Sequence, residues 1–169
     1  MHVRFAAALG SLVLARSRED QKPFELDLAP PLPRGVRIYM YNATRPPGGR
    51  PVGEHKIQLI VSGQQRCDRA SFDHSGGRFV LLVGYCVEED VFVLWDAGLY
   101  ENFAWSRNVQ VKAETILQAS AGKLGQQPRQ LRVAPGRVTL ETVIAVRPRR
   151  LQEAIIKRME ITRARLLRD

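Results

Sequence analysis

Two nearly continuous apolar runs, FVLLVGYC at 79–86 and VFVLWD at 91–96, constrain this chain more than any other feature. The acidic turn Glu88-Glu89-Asp90 joins them. A strand with one wet face alternates apolar and polar residues, because successive side chains point to opposite sides. A run without that alternation needs cover on both faces, or a sheet curled tightly around it. The rest of the chain is expected to provide one or the other.

Its remaining segments suggest how. Residues 3–20 read as a helix in which the apolar stretch FAAALGSLVLA (5–15) continues into ARSRED. After Arg4 the segment also resembles the apolar core of a signal peptide, but its eleven residues are too few to span a bilayer and its charged continuation suits a packed helix, so no membrane partner is expected and the protein is read as cytoplasmic. LDLAPPLPRG (26–35) reads as an extended linker, since its three prolines fix the backbone and remove amide donors. VRIYMYN (36–42) and HKIQLIV (55–61) read as strands, separated by the loop RPPGGRPVG (45–53). In the second of them Ile57, Leu59 and Val61 share one face, with Lys56, Gln58 and Ile60 on the other. A long polar loop covers 63–77. Residues 109–125 start extended and become helical, with Ile116, Leu117, Ser120 and Leu124 on one stripe. A hairpin is expected around Pro135-Gly136, from 129–134 to 138–147, and a final helix over 151–167.

Strands outnumber helices and do not alternate with them. That order predicts an α+β domain: a curved, mostly antiparallel sheet or small β-barrel with flanking helices at both termini. A single domain is expected over 1–169, with its core at 36–158 and a basic helix at 148–168.

Charge narrows the function. Lys and Arg number 26 against 17 Asp and Glu, giving a net charge of +9, a balance that attracts phosphate backbones. Both tryptophans, Trp95 and Trp105, fall in one polar, aromatic segment with Asp96, Tyr100, Phe103, Ser106, Arg107 and Asn108. Rings beside such polar groups suit nucleic acid, and an aspartate pairs naturally with a cytosine amino group. Alternatively, Trp95, Tyr100 and Phe103 fill the rim of the core and Asp96 caps a turn. Gln110 and Lys112 share one side of the strand that follows, and Tyr41, Asn42, Arg50, Lys56 and Gln58 form a further polar group. Near the C-terminus, Arg147, Arg149, Arg150, Lys157, Arg158, Arg163, Arg165 and Arg168 track a phosphate backbone, form a solvated helix face, or make a basic helix of the kind that lies on a membrane.

Little points to catalysis. Glu54-His55-Lys56 matches the acid-x-Lys half of a Mg²⁺-dependent nuclease site, which needs another carboxylate, usually on a preceding strand; the nearest upstream acid is Asp27, in the proline-rich linker. Cys67 and Cys86, with His2, His55 and His74, lack zinc-ligand spacing, so neither metal nor cofactor is expected. A disulfide between the two cysteines is left open. An RNA-binding β-barrel remains a further alternative.

Several short patterns occur in a familiar order: YxYN at Tyr39–Asn42, R-x₃-E-x-K-I-Q from Arg50 to Gln58, LLVGY at 81–85, DVFVLWD at 90–96 and SRNVQV at 106–111. Over about 36–158 this order resembles the DNA-recognition domains that accompany bacterial restriction endonucleases. Such domains are commonly compact β-barrels, similar to the SRA/PUA-like readers of modified bases or the B3-like readers of duplex DNA. The resemblance implies DNA as partner, a modified or flipped base as a possible ligand of the aromatic segment, and a nuclease domain or subunit nearby. Its departure is the lack of a nuclease motif after residue 147, which implies a reader whose cutting domain lies elsewhere.

Overall fold

The computed structural model describes residues 1–45 and 53–168. Along the chain it contains α1 (His2–Leu9), β1 (Val13–Arg16), β2 (Phe24–Leu28), β3 (Gly35–Asn42), β4 (Glu54–Leu59) and β5 (Arg69–Ala70). Then come β6 (Phe79–Cys86), β7 (Val91–Trp95), β8 (Phe103–Ala104), β9 (Arg107–Lys112), α2 (Ala113–Ser120), β10 (Gly125–Ala134), β11 (Arg137–Val146) and α3 (Leu151–Leu166). Seven strands form one sheet in the order β1-β2-β3-β6-β7-β11-β10. Its pairs are antiparallel except β3 with β6. Two short ribbons, β4–β9 and β5–β8, stand apart from it. The expected α+β fold with helices at both termini is present. The barrel alternative is not, because β1 and β10 end the sheet on opposite sides without pairing to each other.

The unbroken apolar runs are explained by two cores. On one face of the sheet, Leu81, Val83, Phe92 and Leu94 pack with Phe5 and Leu9 of α1 and Leu151 and Ile155 of α3. On the other, Val80, Leu82, Val91, Val93 and Trp95 pack with Ile57 and Leu59 of β4, Val109 and Val111 of β9, and Ile116 of α2. Successive residues of β6 and β7 therefore serve opposite cores, which leaves no position for a polar side chain. Each large apolar side chain buried this way contributes about 1.5–3 kcal/mol.

Gly84 interrupts β6 for a steric reason. A Cβ there would lie 2.9 Å from the Trp95 indole and 3.0 Å from Ile57, so the glycine lets both pack directly on the strand. Gly84→Ala is expected to cost about 1–3 kcal/mol by overpacking, read as a lower urea midpoint at unchanged slope. A midpoint equal to the parent's would mean the core yields freely.

Three local expectations need correction. The N-terminal helix ends at Leu9, where Gly10 takes φ 54°, and the apolar residues that follow form the edge strand β1 instead of continuing the helix. The proline segment begins as β2, whose Phe24, Leu26 and Leu28 are buried. In α2 the buried stripe is Thr115, Ile116 and Ala119, while Leu117 is 64% exposed.

Candidate nucleic-acid interface

The β4–β9 ribbon carries the most distinctive polar surface. Its strands pair antiparallel, with Glu54 opposite Lys112, Lys56 opposite Gln110 and Gln58 opposite Asn108. Period-two alternation sends Ile57, Leu59, Val109 and Val111 into the core and turns the polar set outward. Among the described residues, no side chain of Lys56, Gln58, Asn108, Gln110 or Lys112 has an intramolecular hydrogen bond or ion pair. Three amides and two ammonium groups thus stand on one face, all free to meet a ligand.

The ribbon rests on a rigid base. Trp95 lies fully buried beneath it and donates from Nε1 to the Gln110 carbonyl at 3.3 Å. Arg129 Nη1 donates to the same carbonyl at 2.9 Å. Arg129 also pairs with Glu141 at 2.8 Å, and the Tyr100 hydroxyl donates to the same carboxylate at 2.7 Å. The Lys112 amide donates to Gln127 Oε1 at 2.8 Å. Burial, then the charge of Glu141, pushes the Tyr100 hydroxyl well above its ordinary value, so it stays protonated as a donor. Burial pulls the Arg129 guanidinium down, but Tyr100 and Glu141 together outweigh it and the net shift is upward. The sequence reading passed over Arg129 and Glu141. The hairpin register was a usable signal, because Arg129 sits directly opposite Glu141 across the Pro135-Gly136 turn.

The aromatic segment divides between core and surface. Trp95, Asp96, Tyr100 and Phe103 are all buried; the three rings belong to the second core, and none of the four lines an open pocket. The Asp96 carboxylate accepts from the Gly98 amide at 3.1 Å and pairs with Arg165 at 3.0 Å and Arg158 at 3.5 Å. It therefore caps a turn and anchors α3, and those two arginines face the interior. Trp105, Ser106 and Arg107 stay half-buried at the ribbon's end. The Arg66 guanidinium lies 5.5 Å from the Trp105 ring centroid, and that of Arg107 lies 5.3 Å from the Tyr100 ring. Along α3, Arg150 and Lys157 pair with Glu153 and Glu160.

Beside the ribbon runs a groove of about 810 Å³ that brings Lys56 and Gln58 together with Tyr41 and Asn42. It opens where β2 stops pairing with β3 at Phe24–Ile38, which leaves the end of β3 without a neighbour on that side. Its described lining contains no acidic residue. The Tyr41 hydroxyl donates to the Ile60 carbonyl at 3.0 Å, and burial raises its pKa. Arg50 lies outside the described residues.

The described residues bring together one group of three possible metal ligands, His55, Cys86 and Glu89, within 4.8 Å of one another. The Arg45 guanidinium already sits there, 2.8 Å from Glu89 and 3.4 Å from His55 Nε2. Glu54 does not belong to that group, and Asp27 pairs with Arg78 at 2.9 Å in the main sheet. Asp27, the nearest acid upstream of the acid-x-Lys triplet, is thus engaged elsewhere. Cys67 and Cys86 are both free, and burial pushes the Cys86 thiol up to about 12, so it stays protonated.

Stability is expected to depend on pH through His55. This residue is 3% exposed, and its Nδ1 has no partner among the described residues. Burial lowers its pKa below the ordinary 6.5 despite the nearby Glu89 carboxylate. The unfolded chain therefore takes up this proton before the folded chain does, and stability declines as pH falls below 6.5. Urea midpoints measured from pH 8 to 5 should be level above 7 and fall below it. His55→Gln should flatten that fall, and an unaltered slope would remove His55 as its cause.

A family described as methylase-associated X1 matches residues 34–155. Neither the curated proteins nor the solved structures gave a match. Among the described residues no helix is long and apolar enough to cross a membrane.

Proposed function

Because the chain belongs to the methylase-associated X1 family, we propose that it is a duplex-DNA recognition module working beside a methylase in a restriction–modification or related defence system. It presents the outer face of β4–β9 to the DNA major groove. The observation that carries this reading is the ribbon itself: Lys56, Gln58, Asn108, Gln110 and Lys112 held free on a rigid backbone. The major groove is about 12 Å wide and admits a two-stranded β-ribbon, and amide and ammonium side chains match its base edges. The net charge of +9 supplies the attraction to phosphate. Trp105, Ser106 and Arg107 stand at the ribbon's end, where they reach flanking sugar and phosphate. Tyr41 and Asn42, in the adjoining groove, take the strand beyond. Stacking of an extruded base on Trp95 or Tyr100 is not part of this reading, since both rings belong to the core.

Titration with duplex DNA tests it. A module contacting about six phosphates loses on the order of a thousandfold in affinity between 50 and 200 mM salt. The Lys56→Ala/Lys112→Ala pair should lower the logarithmic salt slope by about two. Duplex RNA of equal length should compete poorly, because its major groove is too deep and narrow for side chains to read. Salt-independent binding, or equal competition by RNA, would reject the proposal.

A further inference from the structure

We infer that the ribbon reads adenine and that methylation of the adenine N6 amino group weakens its grip; this rests on the DNA-recognition reading above. The argument starts from which side chains occupy the face. Gln58 and Asn108 sit directly opposite each other, and Gln110 lies two residues along from Asn108 on the same side. A carboxamide offers one acceptor and one donor side by side. Adenine's major-groove edge offers the complement, an N6–H donor beside the N7 acceptor, so one amide closes two hydrogen bonds to it.

Other bases fit this face less well. Guanine presents two acceptors and is met by arginine or lysine; on this face Lys56 stands opposite Gln110 and Lys112 opposite Glu54, two ammonium groups against three amides. Cytosine presents a donor and is met by a carboxylate, and the only one on these strands is Glu54, at the ribbon's end. The three amides are also unencumbered, since among the described residues none is engaged by a neighbouring side chain, and the backbone beneath Gln110 is held by Trp95 and Arg129.

Methylation acts on the same atom. In a duplex, one N6 hydrogen pairs with thymine and the other points into the major groove. A methyl group in the groove position removes the donor that the amide oxygen accepts and places an apolar group against it. The amide is left with one hydrogen bond and an unmet acceptor. Loss of a whole two-bond contact corresponds to about 5- to 150-fold in affinity, and loss of one bond with its acceptor unmet to the lower end of that range. The module therefore distinguishes the substrate of an adenine-N6 methylase from its product.

The test uses the whole chain and a random-sequence duplex library. Selection should enrich sites containing adenine. The enriched pool, resynthesised with N6-methyladenine, should bind at least 5-fold more weakly, and one carrying C5-methylcytosine should bind like the unmodified pool. Gln58→Ala and Asn108→Ala should each shrink the N6 effect while keeping the parent's melting temperature. Equal or tighter binding of the N6-methylated pool overturns this inference alone, leaving the DNA-recognition reading in place. Failure to bind any duplex overturns both.

Discussion

Replacing Asp96 with alanine is expected to cost about 3–5 kcal/mol of folding stability. The Asp96 carboxylate is 2% exposed and faces two arginines from α3. The side chain of Arg158, 1% exposed, would keep its charge in the interior without the carboxylate that offsets it. Burial already disfavours the charged form of Arg158, lowering its pKa, with Asp96 opposing that shift. The turn cap to the Gly98 amide would disappear as well. Asp96→Asn keeps an acceptor for that amide and should cost less. Urea denaturation of both variants checks the order. An Asp96→Ala protein within 1 kcal/mol of the parent would show that α3 does not depend on this carboxylate.

The two tryptophans should separate just as sharply. Trp95→Ala empties the centre of the second core and is expected to cost about 3–5 kcal/mol. It also removes the Nε1 bond beneath Gln110, so the folded fraction should hold its ribbon less firmly. Trp105 is only half-buried, and its contact with the Arg66 guanidinium is worth about 0.5–1 kcal/mol at an exposed site. Trp105→Ala should therefore melt within a few degrees of the parent. Its remaining fluorescence should be blue-shifted, as expected of a tryptophan away from water. Equal destabilisation by the two substitutions would contradict these placements.

The sequence revealed the parts whose signal is local. The apolar runs of β6 and β7 required cover on both faces, and two cores supply it. Alternation on β4 and β9 sorted Lys56, Gln58, Gln110 and Lys112 from the apolar residues between them. What stayed hidden is long-range. Nothing near Gln58 announces that Asn108 lies opposite it, because strand pairing depends on the whole topology and not on either segment. Asp96 looked like a binding group because its partners, Arg158 and Arg165, lie far downstream in a helix that could equally have been a solvated face. Polar neighbours made Tyr100 and Phe103 resemble a surface loop. Their burial follows from Glu141, Arg129 and Phe72 arriving from other strands and loops.

The central claim is that the outer face of β4–β9 is the surface that holds DNA. Its most direct test is one titration of duplex DNA against the parent and a Gln58→Ala/Asn108→Ala/Gln110→Ala variant, at equal salt and with melting curves for both. The account predicts unchanged melting and a loss of sequence-selective binding to the level seen with arbitrary duplexes. A variant that melts like the parent and still selects the same sequences with the same affinity would contradict it.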